Sequence, residues 1–273
     1  LKNKVVLITG ATDGIGKQTA IDLAAMNASI ILHGRSEARL LKTRDKITRL
    51  TNNSQIEIVN SDFASLEQVK SMAEEIRTKF NKMDVLINNA GVYMTEKKLT
   101  EDGYEFTFAV NHLGHFLLTN LLIDLLKKQS SARIINVSSV AHSRARLDFD
   151  NIDSEKSFDS YNAYAVSKLA NVLYTYELAR RLQGTNVTVN ALHPGVISTK
   201  LLWAGFRMKG ATVSEGAETS VYLASSGEVN GITAKYFVRK RETASSESSY
   251  NIEYQSRMWE ASEQMIGRQF NIV

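Results

Sequence analysis

Six residues, Lys4-Val5-Val6-Leu7-Ile8-Thr9, run straight into Gly10-Ala11-Thr12-Asp13-Gly14-Ile15-Gly16, and a helix with apolar Ile15, Ala20, Leu23 and Ala24 follows. A short apolar run without polar alternation suits a strand covered on both faces. A strand, a glycine-rich turn and a helix start in direct succession constrain the fold more than any other stretch. Backbone N–H groups at the positive end of a helix form an anion site, and the glycines let a pyrophosphate come close. The spacing Gly-x-x-x-Gly-x-Gly departs from the usual Gly-x-Gly-x-x-Gly fingerprint.

The same rhythm continues. Residues 29–33, 56–59, 84–88, 133–137 and 186–192 read as further strands. Helices are expected over about 37–50, 66–80, 104–126, from Tyr164 to about Gln183, and over 252–270. Strands alternating with helices indicate a three-layer α/β fold with a doubly wound parallel sheet. Right-handed crossovers gather the strand ends on one side. No linker or repeat interrupts the chain, so residues 1–273 are expected to form one domain. The serine-rich stretch 244–249 reads as an internal loop and the basic cluster 235–241 as a solvated one.

Composition excludes several classes. Net charge is +4 with 29 acidic residues present, and no basic run interleaves with aromatics, so nucleic acid is not an expected partner. There is no cysteine, which removes disulfides, thiolate metal sites and cysteine nucleophiles, and no metal is expected. No apolar run is expected to span a membrane. Cytoplasmic placement is the first expectation and peripheral membrane association the second. The chain opens on Leu1 rather than Met, which leaves an upstream segment open.

Chemistry-bearing residues fall at strand ends and in two helices. Tyr164 and Lys168 stand one helical turn apart, so both leave one face. A nearby ammonium favours a phenolate. Bringing a phenol from ~10 to ~7 takes roughly 4 kcal/mol, more than one exposed lysine supplies, so a second positive charge or strong donor is implied. Taken alone, the pair reads equally as a surface helix. Asn111 is polar inside an apolar helix, where it most often satisfies a neighbouring backbone group. Pro194, the only proline, breaks the strand before Gly195 where a site would open. The second strand ends in His33-Gly34-Arg35-Ser36. An acid there would select NAD; Arg35 and Ser36 instead suit a 2′-phosphate, or Arg35 is a solvated loop residue.

Together, Thr9-Gly10-x-x-x-Gly14-Ile15-Gly16, Asn88-Asn89-Ala90-Gly91, Ser139, Tyr164-x-x-x-Lys168 and Pro194-Gly195-x-x-x-Thr199 resemble, in order and over nearly the whole chain, the short-chain dehydrogenase/reductase family. His33-Gly34-Arg35-Ser36, Val110 to Phe116, Val137 to His142 and Met258-Trp259-Glu260 resemble its retinol-dehydrogenase-like branch. The resemblance implies a Rossmann fold and an NADP(H)-dependent enzyme acting on a carbonyl or alcohol substrate, with NAD(H) the second candidate. Tyr164 would be the general acid or base, and Lys168 would tune it and bind the nicotinamide ribose. Ser139, rather than Ser138, would bond the substrate oxygen, and Asn111 would support a proton path through water. The turn with Gly10, Thr12, Asp13, Gly14, Ile15 and Gly16 would hold the phosphates, and Arg35 with Ser36 the 2′-phosphate. Asp62 and Phe63 would flank the adenine. Asn89, Ala90 and Gly91 would meet the adjoining ribose, and Pro194, Gly195, Ile197 and Thr199 the nicotinamide end. Asp13 is the departure: an acid there would repel a 2′-phosphate if it points that way, with Arg39 as possible help against it. The segment 200–213, with Leu201, Leu202, Trp203, Phe206 and Met208, suits an apolar substrate or the packing of a lid. Helices bearing Asn111 and Tyr164 are expected to pair in a homodimer unless the tail helix covers that face. The alternative to an enzyme is a cofactor-binding regulatory or scaffold protein of the same fold.

Overall fold

A computed structural model describes residues 1–272. Eight strands form one sheet in the order β3-β2-β1-β4-β5-β6-β7-β8. They are β1 (Val5–Ile8), β2 (Ser29–Gly34), β3 (Ile56–Asn60), β4 (Val85–Asn88), β5 (Ala132–Val137), β6 (Val187–His193), β7 (Lys235–Val238) and β8 (Arg241–Glu242). Only β8 runs antiparallel to its neighbour. The chain winds outward from β1 to β3, returns, and continues from β4, so a crevice opens beyond the carboxyl ends of β1 and β4.

Helices cover both faces. On one side lie α1 (Gly14–Ala25), α2 (Glu37–Thr51) and α8 (Val213–Ser225), packing Leu23, Leu40, Ile47 and Leu223 against Val6 and Ile8 of β1. On the other lie α3 (Leu66–Lys79), the helix Phe106–Lys127, α6 (Ser160–Arg181) and α9 (Ile252–Ile266), packing Met72, Phe116, Leu173 and Trp259 with Val5 and Leu7. Strand β1 therefore feeds both cores, which is why its sequence shows no alternation.

Several expectations are corrected. The cluster 235–241 is not a solvated loop: β7 buries Tyr236 and Phe237 while the lysine and arginine heads reach water. Helix α8 has a start signal in Thr212 and Glu215, whose reciprocal capping box holds its first turn. The tail helix stops at Ile266 because Gly267 takes a left-handed φ of 64° and its N–H bonds the Gln264 carbonyl. The long helix begins at Phe106, where the Glu105 carboxylate accepts from the N–H groups of Thr107 and Phe108 at 2.9 and 2.8 Å. It comprises α4 (Phe106–Phe108), a π-helical turn (Ala109–Leu113) and α5 (Gly114–Lys127). By length and hydropathy this segment qualifies as a membrane span, contrary to expectation, yet 94% of its most apolar window is buried inside the fold.

Helix α9 lies along the face of α6 expected to pair subunits. The Trp259 ring stacks on Tyr174 at 5.8 Å and meets Phe116 edge-on at 4.9 Å, with the Arg181 guanidinium 4.1 Å over it. From Ala163 to Ala179 helix α6 is buried throughout. The tail thus occupies the surface assigned to a partner. Light scattering at micromolar concentration should give the monomer mass; a dimer would mean that α9 leaves this face or that another surface pairs.

Candidate active site

The glycine-rich turn sits at the crevice. Gly10 has φ 65°, and a Cβ there would lie 2.8 Å from Ala90 Cα. A Cβ at Gly16 would lie 2.4 Å from Asn89 Nδ2 and 2.6 Å from the Gly10 carbonyl. Only glycine lets the turn pass this close to the end of β4. Asn89 clamps it, donating from Nδ2 to Thr9 O at 2.8 Å. Thr9 Oγ1 accepts the N–H groups of Asn89 and Ala90 at 2.8 and 2.9 Å and lies 2.8 Å from His115 Nε2. His115 Nδ1, 3.0 Å from the Asn111 carbonyl, must donate, so Nε2 accepts the threonine proton. Burial keeps this imidazole neutral, with its pKa pulled down to about 3. The glycine turn and the π-helical turn are thereby tied together through Thr9 and His115.

A cavity of about 530 Å³ opens here. Its wall contains every expected site residue except Ser36 and Asn111. At one end stand the glycine turn, Arg35, Arg39, Asp62 and Phe63; at the other, Val140, Ala141, Tyr161, Leu201, Phe206 and Met208. Arg35 is exposed with no ion pair among the described residues. Ser36 occupies the N-cap position of α2 without a side-chain cap bond, so its hydroxyl is uncommitted.

Asp13 does not present an unanswered charge. Its carboxylate accepts from Gly14 N at 2.9 Å and pairs with Lys200 at 2.8 Å and Arg39 at 3.1 Å. The Lys200 hydrogen bond is the largest influence holding its carboxyl below the usual range. Helix α7 (Lys200–Phe206) is thus tied to the glycine turn by its first residue. Sequence gave no signal for this contact, because the two residues are remote in the chain. The lid also corrects one expectation: Leu201, Leu202 and Phe206 line the cavity, whereas Trp203 faces outward and is absent from the wall.

Tyr164, Lys168 and Ser139 meet on the wall beyond β5. Ser138 Oγ donates to the Lys168 carbonyl at 2.7 Å and is buried, which makes it structural. Ser139 Oγ accepts from Ala141 N at 3.2 Å, and its hydroxyl is near enough to the Tyr164 phenol to favour the phenolate. Burial raises that phenol to about 12, with Ser139 acting against it. Lys168 Nζ is 5.7 Å from the ring centroid and donates to the Val137 carbonyl at 3.1 Å. Burial draws its ammonium down to about 8. In the protein alone, desolvation is the largest influence and holds the phenol above its ordinary value.

Asn111 is fully buried behind the wall. Its Oδ1 accepts from Val92 N at 2.8 Å, and its Nδ2 donates to Val92 O and Ser167 Oγ, each at 3.0 Å. It pins the loop after Gly91 in both directions, the backbone-satisfying role expected of a polar residue in an apolar helix.

Comparisons with known proteins agree with this geometry. The family model described as short chain dehydrogenase matches residues 4–209. Human retinol dehydrogenase 14 is 39% identical over 98% of this chain and 87% of its own length. Human polyprenol dehydrogenase is 38% identical over 97% of this chain and 86% of its own. A crystal structure of an uncharacterized protein from Mycobacterium paratuberculosis superposes with a TM-score of 0.82 at 31% identity, covering 98% of this chain and 95% of that one.

Proposed function

Because the chain belongs to the short-chain dehydrogenase/reductase family, in its retinol-dehydrogenase-like branch, we propose that it transfers a hydride between NADP(H) and the carbonyl or alcohol carbon of an apolar small molecule. The observation that carries this reading is the meeting of Tyr164, Ser139 and Lys168 on one wall of a cavity that also contains a phosphate cradle.

The residues present fit a dinucleotide. The close approach at Gly16 and the start of α1 suit its phosphates. Asp62 and Phe63, on the cavity wall, would flank the adenine; Asn89, Ala90 and Gly91 would meet a ribose, and Pro194, Gly195, Ile197 and Thr199 the nicotinamide end. When bound, the cofactor supplies or accepts the hydride and, oxidised, adds a positive charge. The remaining work belongs to the chain. The Ser139 and Tyr164 hydroxyls converge on the substrate oxygen and polarise the carbonyl. At neutral pH Tyr164 carries its proton, because burial raises its pKa to about 12. It is therefore set to act as the acid in carbonyl reduction. Lys168 offers its remaining donors to the cavity and favours the phenolate when the reaction runs toward oxidation. Asn111 acts by positioning Val92 and the loop beyond Gly91 and is the candidate support for a proton path through water.

The apolar end of the cavity supports a hydrophobic substrate. Two relatives are named for retinol and polyprenol, both alcohols on isoprenoid chains. A panel of aldehydes, ketones and retinoids with NADPH, read as loss of nicotinamide absorbance, tests the reading. Cofactor binding without turnover of any member would favour a regulatory protein instead.

Cofactor choice follows from Arg35, Ser36 and the answered charge of Asp13. A guanidinium fork suits phosphate oxygens. A charge-assisted hydrogen bond contributes ~1.5–3 kcal/mol, or about ten- to a hundredfold in affinity. NADP(H) is expected to bind at least about tenfold more tightly than NAD(H). Arg35→Asp should narrow or reverse that gap with little change for NAD(H). Titrating both cofactors into both proteins checks it; equal affinities in the parent would refute the assignment of Arg35.

A further inference from the structure

The outward turn of Trp203 calls for an explanation. It is 62% exposed, whereas Trp259 is 1% exposed. On α7, Lys200, Trp203 and Ala204 follow the i, i+3, i+4 spacing and share one face, all exposed. Leu201, Leu202 and Phe206 occupy the opposite face, on the cavity wall. Arg207 takes a left-handed φ of 47°, its N–H bonding the Trp203 carbonyl at 3.0 Å, so the helix ends there and Arg207, Met208 and Lys209 follow, all exposed. Residues 196–212 contain no aspartate or glutamate. Lys200 answers Asp13, but Arg207 and Lys209 have no acidic partner among the described residues. The cavity mouth beneath is rimmed by Val140, Val196 and Met208, which are 54%, 44% and 48% exposed.

We propose that this lid face docks on an anionic lipid surface, with Trp203 and Met208 in the interfacial layer and Arg207 and Lys209 on headgroup phosphates. Charge complementarity commits the face to that occupant: two unanswered cations follow the exposed aromatic within six residues, and no acid interrupts them. Tryptophan favours the headgroup boundary, where its ring is half apolar and its N–H is satisfied. Basic residues beside an exposed apolar face bind anionic leaflets. The docked lid sets the apolar rim of the cavity against the lipid, so a membrane-dissolved substrate enters without crossing water. Only this last step rests on the proposed activity; docking itself does not.

Tryptophan emission tests it, because Trp259 is buried and any shift reports Trp203. The full chain is mixed with vesicles of phosphatidylcholine alone, or with about a third phosphatidylserine. A blue shift with the anionic vesicles only, reversed by salt, is expected. Sedimentation with the same vesicles should show binding lost in Trp203→Ala. It should be weakened at least about tenfold when Arg207→Glu and Lys209→Glu are combined. Neither residue nor Trp203 lies on the cavity wall, so turnover of a water-soluble carbonyl compound should be unchanged in these variants. No shift with either vesicle overturns the proposal. So does undiminished binding of the double glutamate variant, or a shift that follows self-association or an acidic peptide rather than lipid. If the parent shifts with vesicles but turns over no carbonyl compound, docking stands and the catalytic reading falls.

Discussion

Tyr164→Phe is expected to lower turnover by ~100-fold or more while cofactor affinity stays close to that of the parent. The substitution keeps the ring, which packs 5.4 Å from Tyr93 and 6.4 Å from Phe206. It removes only the hydroxyl, with its proton. The fold should therefore melt near the parent temperature, and a rate loss cannot be charged to unfolding. Direction separates the roles further. Carbonyl reduction by the parent should be nearly flat across neutral pH, because the phenol keeps its proton there. Alcohol oxidation needs the phenolate and should rise as pH increases toward the phenol's pKa, which cofactor charge would lower from about 12. That rise should vanish in the phenylalanine variant. Steady-state rates in both directions, with melting curves beside them, make the comparison; near-normal turnover would remove Tyr164 from its assigned role.

Why Tyr164 could be found from sequence, and other parts could not, is a matter of range. Strand β1 and its turn are legible because an apolar run covered on both faces and a glycine succession are local facts. The Tyr164–Lys168 pair is legible because helical geometry fixes which side chains share a face. Strand β7 was misread because lysine and arginine at its ends conceal two buried aromatics, Tyr236 and Phe237, and charge density outweighed period. The pairing of Asp13 with Lys200 joins a helix start to a lid remote in sequence, so no spacing rule reaches it. The same holds for His115, whose tautomer is fixed by Thr9 on one side and the Asn111 carbonyl on the other. Composition leaves Trp203 to either the cavity or the packing of a lid; the face it occupies depends on where α7 starts, and that is set by Thr199, which caps the helix by accepting from Leu202 N.

Lys168→Met is expected to make the protein more stable and less active at neutral pH. Lys168 is 3% exposed, and its one protein acceptor is the Val137 carbonyl at 3.1 Å. Burial lowers its pKa from 10.5 to about 8. Between those values the unfolded chain binds the proton more than the folded one, so stability rises with pH through that window. Below about pH 8 the buried ammonium costs the folded state on the order of 3 kcal/mol, at about 1.36 kcal/mol for each pH unit of the difference. Methionine keeps the apolar stem and removes the charge, though it leaves the Val137 carbonyl without a donor, a loss of about 1 kcal/mol. A net gain of roughly 2 kcal/mol should raise Tm by several degrees at pH 7. The gain should shrink as pH rises past 8, vanish before 10.5, and turn into a loss of about 1 kcal/mol above it, where both forms of the parent are neutral. Turnover should fall by roughly 100-fold, most severely for oxidation, because no ammonium then favours the phenolate. Cofactor affinity should fall about tenfold with the loss of a charged donor to the ribose. A lysine kept for structure would behave in the opposite way. A methionine variant that melted lower at pH 7 and turned over normally would place Lys168 in the scaffold instead of the chemistry.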